Sequence, residues 1–78
     1  MPTVLRLGPF RLFFFSNERQ EPAHIHVKAG ENQAKFWLEP VEIAANYGFN
    51  RRQLSRIERI IEEHRLQLLE AWNEYFST

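Results

Sequence analysis

The hydrophobic positions of this chain change their period near residue 50, which divides it into two unlike parts. Beyond that point Leu54, Ile57, Ile60, Ile61, Leu68, Ala71, Trp72 and Tyr75 recur at spacings of three and four, the repeat that lines one face of an α-helix. The start of the helix is well marked. Asn50 is a good N-cap, Gln53 stands where a capping box wants Glu or Gln, and Phe49 and Leu54 flank the cap as a hydrophobic staple. The pattern predicts one uninterrupted helix over 51–76, with Arg59–Glu63 and Glu62–Arg65 as exposed pairs on its polar side.

Upstream the period is two. Residues 4–7 and 10–15 alternate on either side of Gly8-Pro9, which reads as a tight turn. A loop of those two residues puts Leu5, Leu7, Phe10, Leu12 and Phe14 on one face and Arg6, Arg11, Phe13 and Phe15 on the other. After a polar loop over 16–22, a second alternating pair is expected at 24–28 and 33–38, joined through Ala29-Gly30-Glu31-Asn32. Any even loop centred on Gly30-Glu31 sets Ile25 across from Phe36 and Val27 across from Ala34. The same register sets His26 across from Lys35 and His24 across from Trp37. Glu39-Pro40 then breaks the chain, and Val41, Ile43 and Ala45 alternate in a further strand, with a helix over 41–47 as the alternative. A turn at Glu39-Pro40 brings Glu42 across from Trp37. The expected fold is α+β: an antiparallel sheet of about five strands within 4–46, covered on one face by a single long C-terminal helix. One domain is expected over 1–78, because this length accommodates one core.

A domain this small buries only ~60% of its unfolded surface, so its core must be dense. Seven Phe, two Trp and two Tyr supply large side chains for it; with no cysteine, disulfides cannot help. The lack of cysteine fits a reducing cytoplasm. No apolar run approaches the ~20 residues of a membrane span, and Phe13 to Phe15 is too short for a signal-peptide core, so a cytoplasmic location away from membranes is expected. Ten basic and ten acidic residues balance to a formal charge of zero, which argues against attraction to nucleic acid through bulk charge. Any such contact needs a local patch, and Arg6, Arg11, Arg19, Lys28 and Lys35 place it in the N-terminal half.

The polar sheet face is where chemistry is expected. The register gathers His24, His26, Lys28, Lys35, Trp37 and, across the last turn, Glu42, with Arg6, Arg11, Phe13 and Phe15 joining them if the hairpins are neighbours. Histidine is a general acid or base near neutral pH, and lysine or arginine stabilises a developing phosphorane or oxyanion, the parts of a metal-independent ribonuclease. Two histidines two apart on a strand also suit one zinc ion, with Glu42 as a third ligand. Trp37, Phe13 and Phe15 could instead stack bases while the cations hold phosphates, without catalysis. Plain solvated strand positions fit the same spacing. No cysteine, no HExxH and no clear third ligand are present, so neither a metal nor another cofactor is expected. His64 falls within the apolar arc of the helix and reads as a hydrogen-bonded core or boundary residue. The catalytic candidates are His24, His26 and Lys35, and the binding candidates Arg6, Arg11, Trp37 and Glu42. Neither His24 nor His26 is expected to fill the core.

The stretch Glu21-Pro22-Ala23-His24-Ile25-His26-Val27 resembles the signature of a family of small prokaryotic proteins known as domain of unknown function 4160. The resemblance continues through Ala34-Lys35-Phe36-Trp37-Leu38, Tyr47-Gly48-Phe49 and the closing Leu69-Glu70-Ala71-Trp72-Asn73-Glu74-Tyr75-Phe76. Ala23 stands where members often carry a second proline before the first histidine, a change in loop stiffness rather than chemistry. The resemblance implies a DhiT-like toxin of a type II toxin–antitoxin pair, neutralised by a small antitoxin-like protein encoded nearby. It implies no particular reaction. RNA as a target and self-association into a homo-oligomer both stay open at this point.

Overall fold

The computed structural model describes residues 3–15 and 20–76, so the expected loop over 16–22 lies partly outside the described residues. In chain order the described elements are β1 (Thr3–Leu7), β2 (Phe10–Phe13), β3 (His24–Ala29), β4 (Asn32–Leu38), β5 (Val41–Tyr47), α1 (Arg51–Glu63) and α2 (Arg65–Tyr75). The strands form one antiparallel sheet in the order β1-β2-β3-β4-β5, each hydrogen-bonded to its sequence neighbour. The segment over 41–47 is strand, not helix.

Short turns set the register. Leu7 pairs with Phe10 around Gly8-Pro9, and Ala29 with Asn32 around Gly30-Glu31, with Gly8 and Gly30 at positive φ as such tight turns require. Ile25 therefore faces Phe36, Val27 faces Ala34, His26 faces Lys35 and His24 faces Trp37, as the alternation predicts. The β4–β5 turn carries a cis Glu39-Pro40 bond and sets Glu42 across from Trp37. Beyond it the alternation fails. The partners step from Phe36↔Ile43 to Lys35↔Ala45, leaving Ala44 as the extra residue of a bulge. Ala45, expected on the face of Val41 and Ile43, consequently turns to that of Lys35, and Tyr47 pairs with Gln33 on the same side.

The apolar face of the sheet presents Phe10, Leu12, Phe14, Ile25, Val27, Ala34, Phe36 and Leu38, all buried. Ile57 and Ile61 of α1 and Leu68 and Trp72 of α2 close the core over it. The N-terminus of α1 is built as its sequence predicts: Asn50 Oδ1 accepts from Gln53 N at 2.8 Å and Gln53 Oε1 accepts from Asn50 N at 2.9 Å. Buried Phe49 packs in the same core as Leu54.

The single long helix is corrected to two. His64 leaves helical geometry (φ −112°, ψ 17°), and its N–H is shared between the carbonyls of Ile60 and Ile61. Its ring Nδ1 donates to the Ile60 carbonyl as well, at 2.9 Å. A side chain bonding back to the carbonyl four residues earlier competes with the helix ladder and interrupts it. His64 is half-buried and hydrogen-bonded, a boundary residue. Just past the break, Arg65 turns to the sheet, donating to the Leu38 carbonyl at 3.0 Å and approaching Glu39 at 3.5 Å rather than pairing with Glu62.

Candidate functional site

The face away from the helices carries three cross-strand rows. Arg6, Arg11, Lys28, Gln33 and Tyr47 form the first, Phe13, His26, Lys35 and Ala45 the second, and His24, Trp37 and Glu42 the third. His24, His26 and Lys35 are thus brought together, with Trp37 beside them. Glu42 is on the same face but beyond Trp37, two strands from His24, so it is not a neighbour of the imidazoles. Arg6 and Arg11 lie one row away, beside Lys28 rather than beside the histidines.

His26 is half-buried at the centre. Its ring stacks on Phe13 at 5.5 Å and 24°, meets the edge of Phe15 at 4.7 Å, and stands 5.2 Å from the ring of His24 at 87°. A cavity of about 160 Å³ opens beside it, lined by Phe15, His26, Gln33, Lys35, Ala45 and Tyr47. That is smaller than the ~300–1,000 Å³ of ordinary ligand pockets, so it suits a single small group of a larger molecule.

His24 departs from expectation. It has the predicted register, yet its side chain is fully buried. The cause is the unequal length of the strands. The β2–β3 pairing ends at Phe13↔His26, so β3 has no β2 neighbour beside His24, and Trp72 of α2 packs there with its ring 4.8 Å away. Trp37 adds an edge contact at 5.7 Å. His24 Nδ1 lies 2.9 Å from the Pro22 carbonyl. A carbonyl only accepts, so Nδ1 carries a proton and donates it to Pro22.

Sequence reasoning passed over Glu21. Its Oε1 sits 2.6 Å from Lys35 Nζ and 3.9 Å from His24 Nδ1, tying the cation to the strand entrance. The available signal was its place at the head of the Glu-Pro-Ala-His-Ile-His run. Held this way, the Lys35 ammonium lies 4.7 Å over the Trp37 ring, and the Arg11 guanidinium lies 4.8 Å over Phe13 while donating to Thr3 Oγ1 at 2.9 Å. Among the described residues no three His, Cys, Asp or Glu side chains are grouped to hold a metal ion. No described helix is long and apolar enough to cross a membrane.

Comparison with curated proteins and with solved structures returns no match. The model of one family, domain of unknown function (DUF4160), matches residues 10–73, a span from β2 into α2 that contains Arg11, Glu21, His24, His26, Lys35, Trp37 and Glu42. With most of its length matched, including both histidines and the tryptophan that buries one of them, this chain belongs to the DUF4160 family.

Proposed function

We propose that this protein is a toxin-like effector of a prokaryotic type II toxin–antitoxin pair, and that its polar sheet face cleaves RNA without a metal. The observation that carries the reading is the asymmetry of the two imidazoles. His26 borders the small cavity together with Lys35, while His24 is sealed 5.2 Å behind it. His26 is then the group that exchanges protons with substrate, and His24 positions it. In the step proposed, His26 takes the proton of a ribose 2′-hydroxyl, the 2′-oxygen attacks the adjacent phosphorus, and the 5′-oxygen leaves as that proton is returned to it. The products are a 2′,3′-cyclic phosphate and a free 5′-hydroxyl. Lys35, oriented by Glu21, offsets the charge gathering on the phosphoryl oxygens. Arg6, Arg11 and Lys28 hold flanking phosphates. The toxin role and the small antitoxin-like partner are supported by the family resemblance. The runner-up is a non-catalytic module on the same face, favoured by the cations spread over Phe13 and Trp37, which make an aromatic and basic surface.

The test pairs growth with chemistry. Wild type and His26→Gln are induced in a bacterial host at matched soluble levels, and each purified protein is incubated with end-labelled single-stranded RNA. Wild type should slow growth and generate cyclic-phosphate ends, and the variant should lose ~10²–10⁴-fold of the cleavage while keeping its circular dichroism. Equal activity in the two proteins rejects the reading. RNA that is bound but left intact by wild type puts the binding module first.

A further inference from the structure

A second, roomier cavity lies outside this site. It measures about 820 Å³ and opens between the first half of α1 and the β1–β2 turn, lined by Pro9, Phe10, Arg51, Arg52, Arg56 and Arg59. Arg52, Arg56 and Arg59 follow at spacings of four and three and so share one helix face. Arg56 packs over Phe10 at 5.6 Å. Among the described residues none of these arginines has an ion-pair partner, and neither Glu58 on the same helix nor Glu31 in the β3–β4 turn is paired with one.

Two features run against local stability. Arg51 and Arg52 occupy the first turn of α1, where the helix dipole disfavours cations, and no acidic residue stands there to offset them. On the other side of the sheet Arg6 pairs with Arg11 and Arg11 with Lys28, three like charges directly across from one another, which is also unfavourable. Both groups lie at the same end of the molecule. Arg11 follows Phe10 and Lys28 precedes Ala29, and Phe10 and Ala29 both line the cavity. A band of cations therefore runs from the polar sheet face, around the Gly8-Pro9 end, onto α1.

We infer that this groove binds the phosphodiester backbone of a single RNA strand that continues from the sheet face. Guanidinium forks match phosphate oxygens in pairs. The capping box already occupies N–H groups of the helix start, so the side chains are left to meet the anion. Phe10 is only 3% exposed, so the groove offers no aromatic platform and contacts backbone rather than bases. The inference rests on the proposed function only for the choice of RNA as the polyanion.

The probe is a fluorescent single-stranded RNA of about 12 nucleotides, 2′-O-methylated so that it cannot be cleaved, and binding is followed by anisotropy between about 50 and 200 mM salt. Arg52 and Arg59 are both exposed, and glutamine has nearly the helix propensity of arginine, so Arg52→Gln/Arg59→Gln should fold as wild type does. The double variant should lose on the order of tenfold in affinity at 0.1 M salt, with the logarithmic salt slope shallower by about 1.4. Arg52→Lys/Arg59→Lys should restore the slope. A folded glutamine variant with unchanged affinity and slope overturns the inference. So does displacement of the RNA by millimolar inorganic phosphate alone, which marks a small-anion site, or wild-type preference for poly-glutamate, which marks a dock for acidic peptide. The two proposals fail separately: full growth inhibition by His26→Gln removes the ribonuclease reading, while loss of RNA binding in the arginine variant still supports the groove.

Discussion

Replacing His24 by alanine should destabilise the protein more than the same change at His26, although alternation along β3 puts the two residues on one face. The His24 ring is fully buried, packs against Trp72 at 4.8 Å, His26 at 5.2 Å and Trp37 at 5.7 Å, and donates to the Pro22 carbonyl. Removing that hydrogen bond costs about 1 kcal/mol. Each lost ring contact costs about 0.5–1.5 kcal/mol, and the space left behind collapses only in part. Together these give a loss of about 2.5–5.5 kcal/mol. A domain of 78 residues holds about 4–12 kcal/mol in all, so the change removes a large share. At about 4–8 °C per kcal/mol for this size, the melting temperature should fall by about 10–44 °C. His26 makes ring contacts of its own with Phe13, Phe15 and His24, but it is only half-buried, so they count for less and His26→Ala should cost about 1–3 kcal/mol. Urea titrations and thermal melts followed by tryptophan fluorescence suit the comparison, because Trp37 and Trp72 both flank His24. A His24→Ala protein that melts within about 3 °C of wild type, or above His26→Ala, would refute the reasoning. The same result bears on any growth assay, since loss of effect in His24→Ala is explained by unfolding before chemistry is invoked.

Trp72→Ala should cost about 3–5 kcal/mol by equilibrium denaturation, because the indole closes the core over Phe14 and His24 alike. Asn50→Ala removes one half of the capping box and should cost about 1 kcal/mol, read as a lower urea midpoint with an unchanged m-value. Gly48→Ala places a Cβ at φ +109° against the side-chain amide of Asn32, and should cost about 1–3 kcal/mol while leaving the circular dichroism of surviving folded protein unaltered. Protein purified without chelator should contain substoichiometric zinc by elemental analysis; a full equivalent would make His24 and His26 ligands and displace the acid–base reading.

The sheet register was legible because short turns leave no freedom of parity. Once Gly8-Pro9 and Gly30-Glu31 are taken as two-residue loops, the partners from Leu7↔Phe10 to Leu5↔Leu12 and from Ala29↔Asn32 to His24↔Trp37 follow, while the slip to Thr3↔Phe13 does not. What escaped depends on contacts that no local pattern carries. The bulge at Ala44 is invisible in a run where Ala44 and Ala45 suit either face. The break at His64 needs the imidazole to find the Ile60 carbonyl, while the apolar arc runs through it unchanged. Burial of His24 depends on where β2 ends relative to β3, a difference in strand length that alternation does not encode. Of the groove's α1 arginines only Arg59 entered the sequence pattern, as an exposed partner of Glu63; the groove exists only once the β1–β2 turn is folded against that helix.

The Ala44 bulge joins the two regions that these proposals assign to RNA. Continued without it, the β4–β5 pairing would set Ala45 across from Ala34 and Asn46 across from Gln33. With the extra residue, Asn46 lies across from Ala34 and Tyr47 across from Gln33. Tyr47 thereby reaches the polar face, where it borders the cavity beside His26 and Lys35. Asn46 passes to the helix side, where its amide donates to the Phe49 carbonyl at 2.9 Å and accepts from Phe49 N at 3.1 Å. That clasp fixes the residue immediately before the N-cap of α1, and so the line along which Arg52, Arg56 and Arg59 leave the sheet. One inserted residue thus sets a wall of the small cavity and the launch of the arginine helix together. Deleting Ala44 should restore plain alternation, withdraw Tyr47 from the site and release Phe49. Its damage would then fall on both regions, whereas a substitution such as Tyr47→Phe would touch the cavity alone.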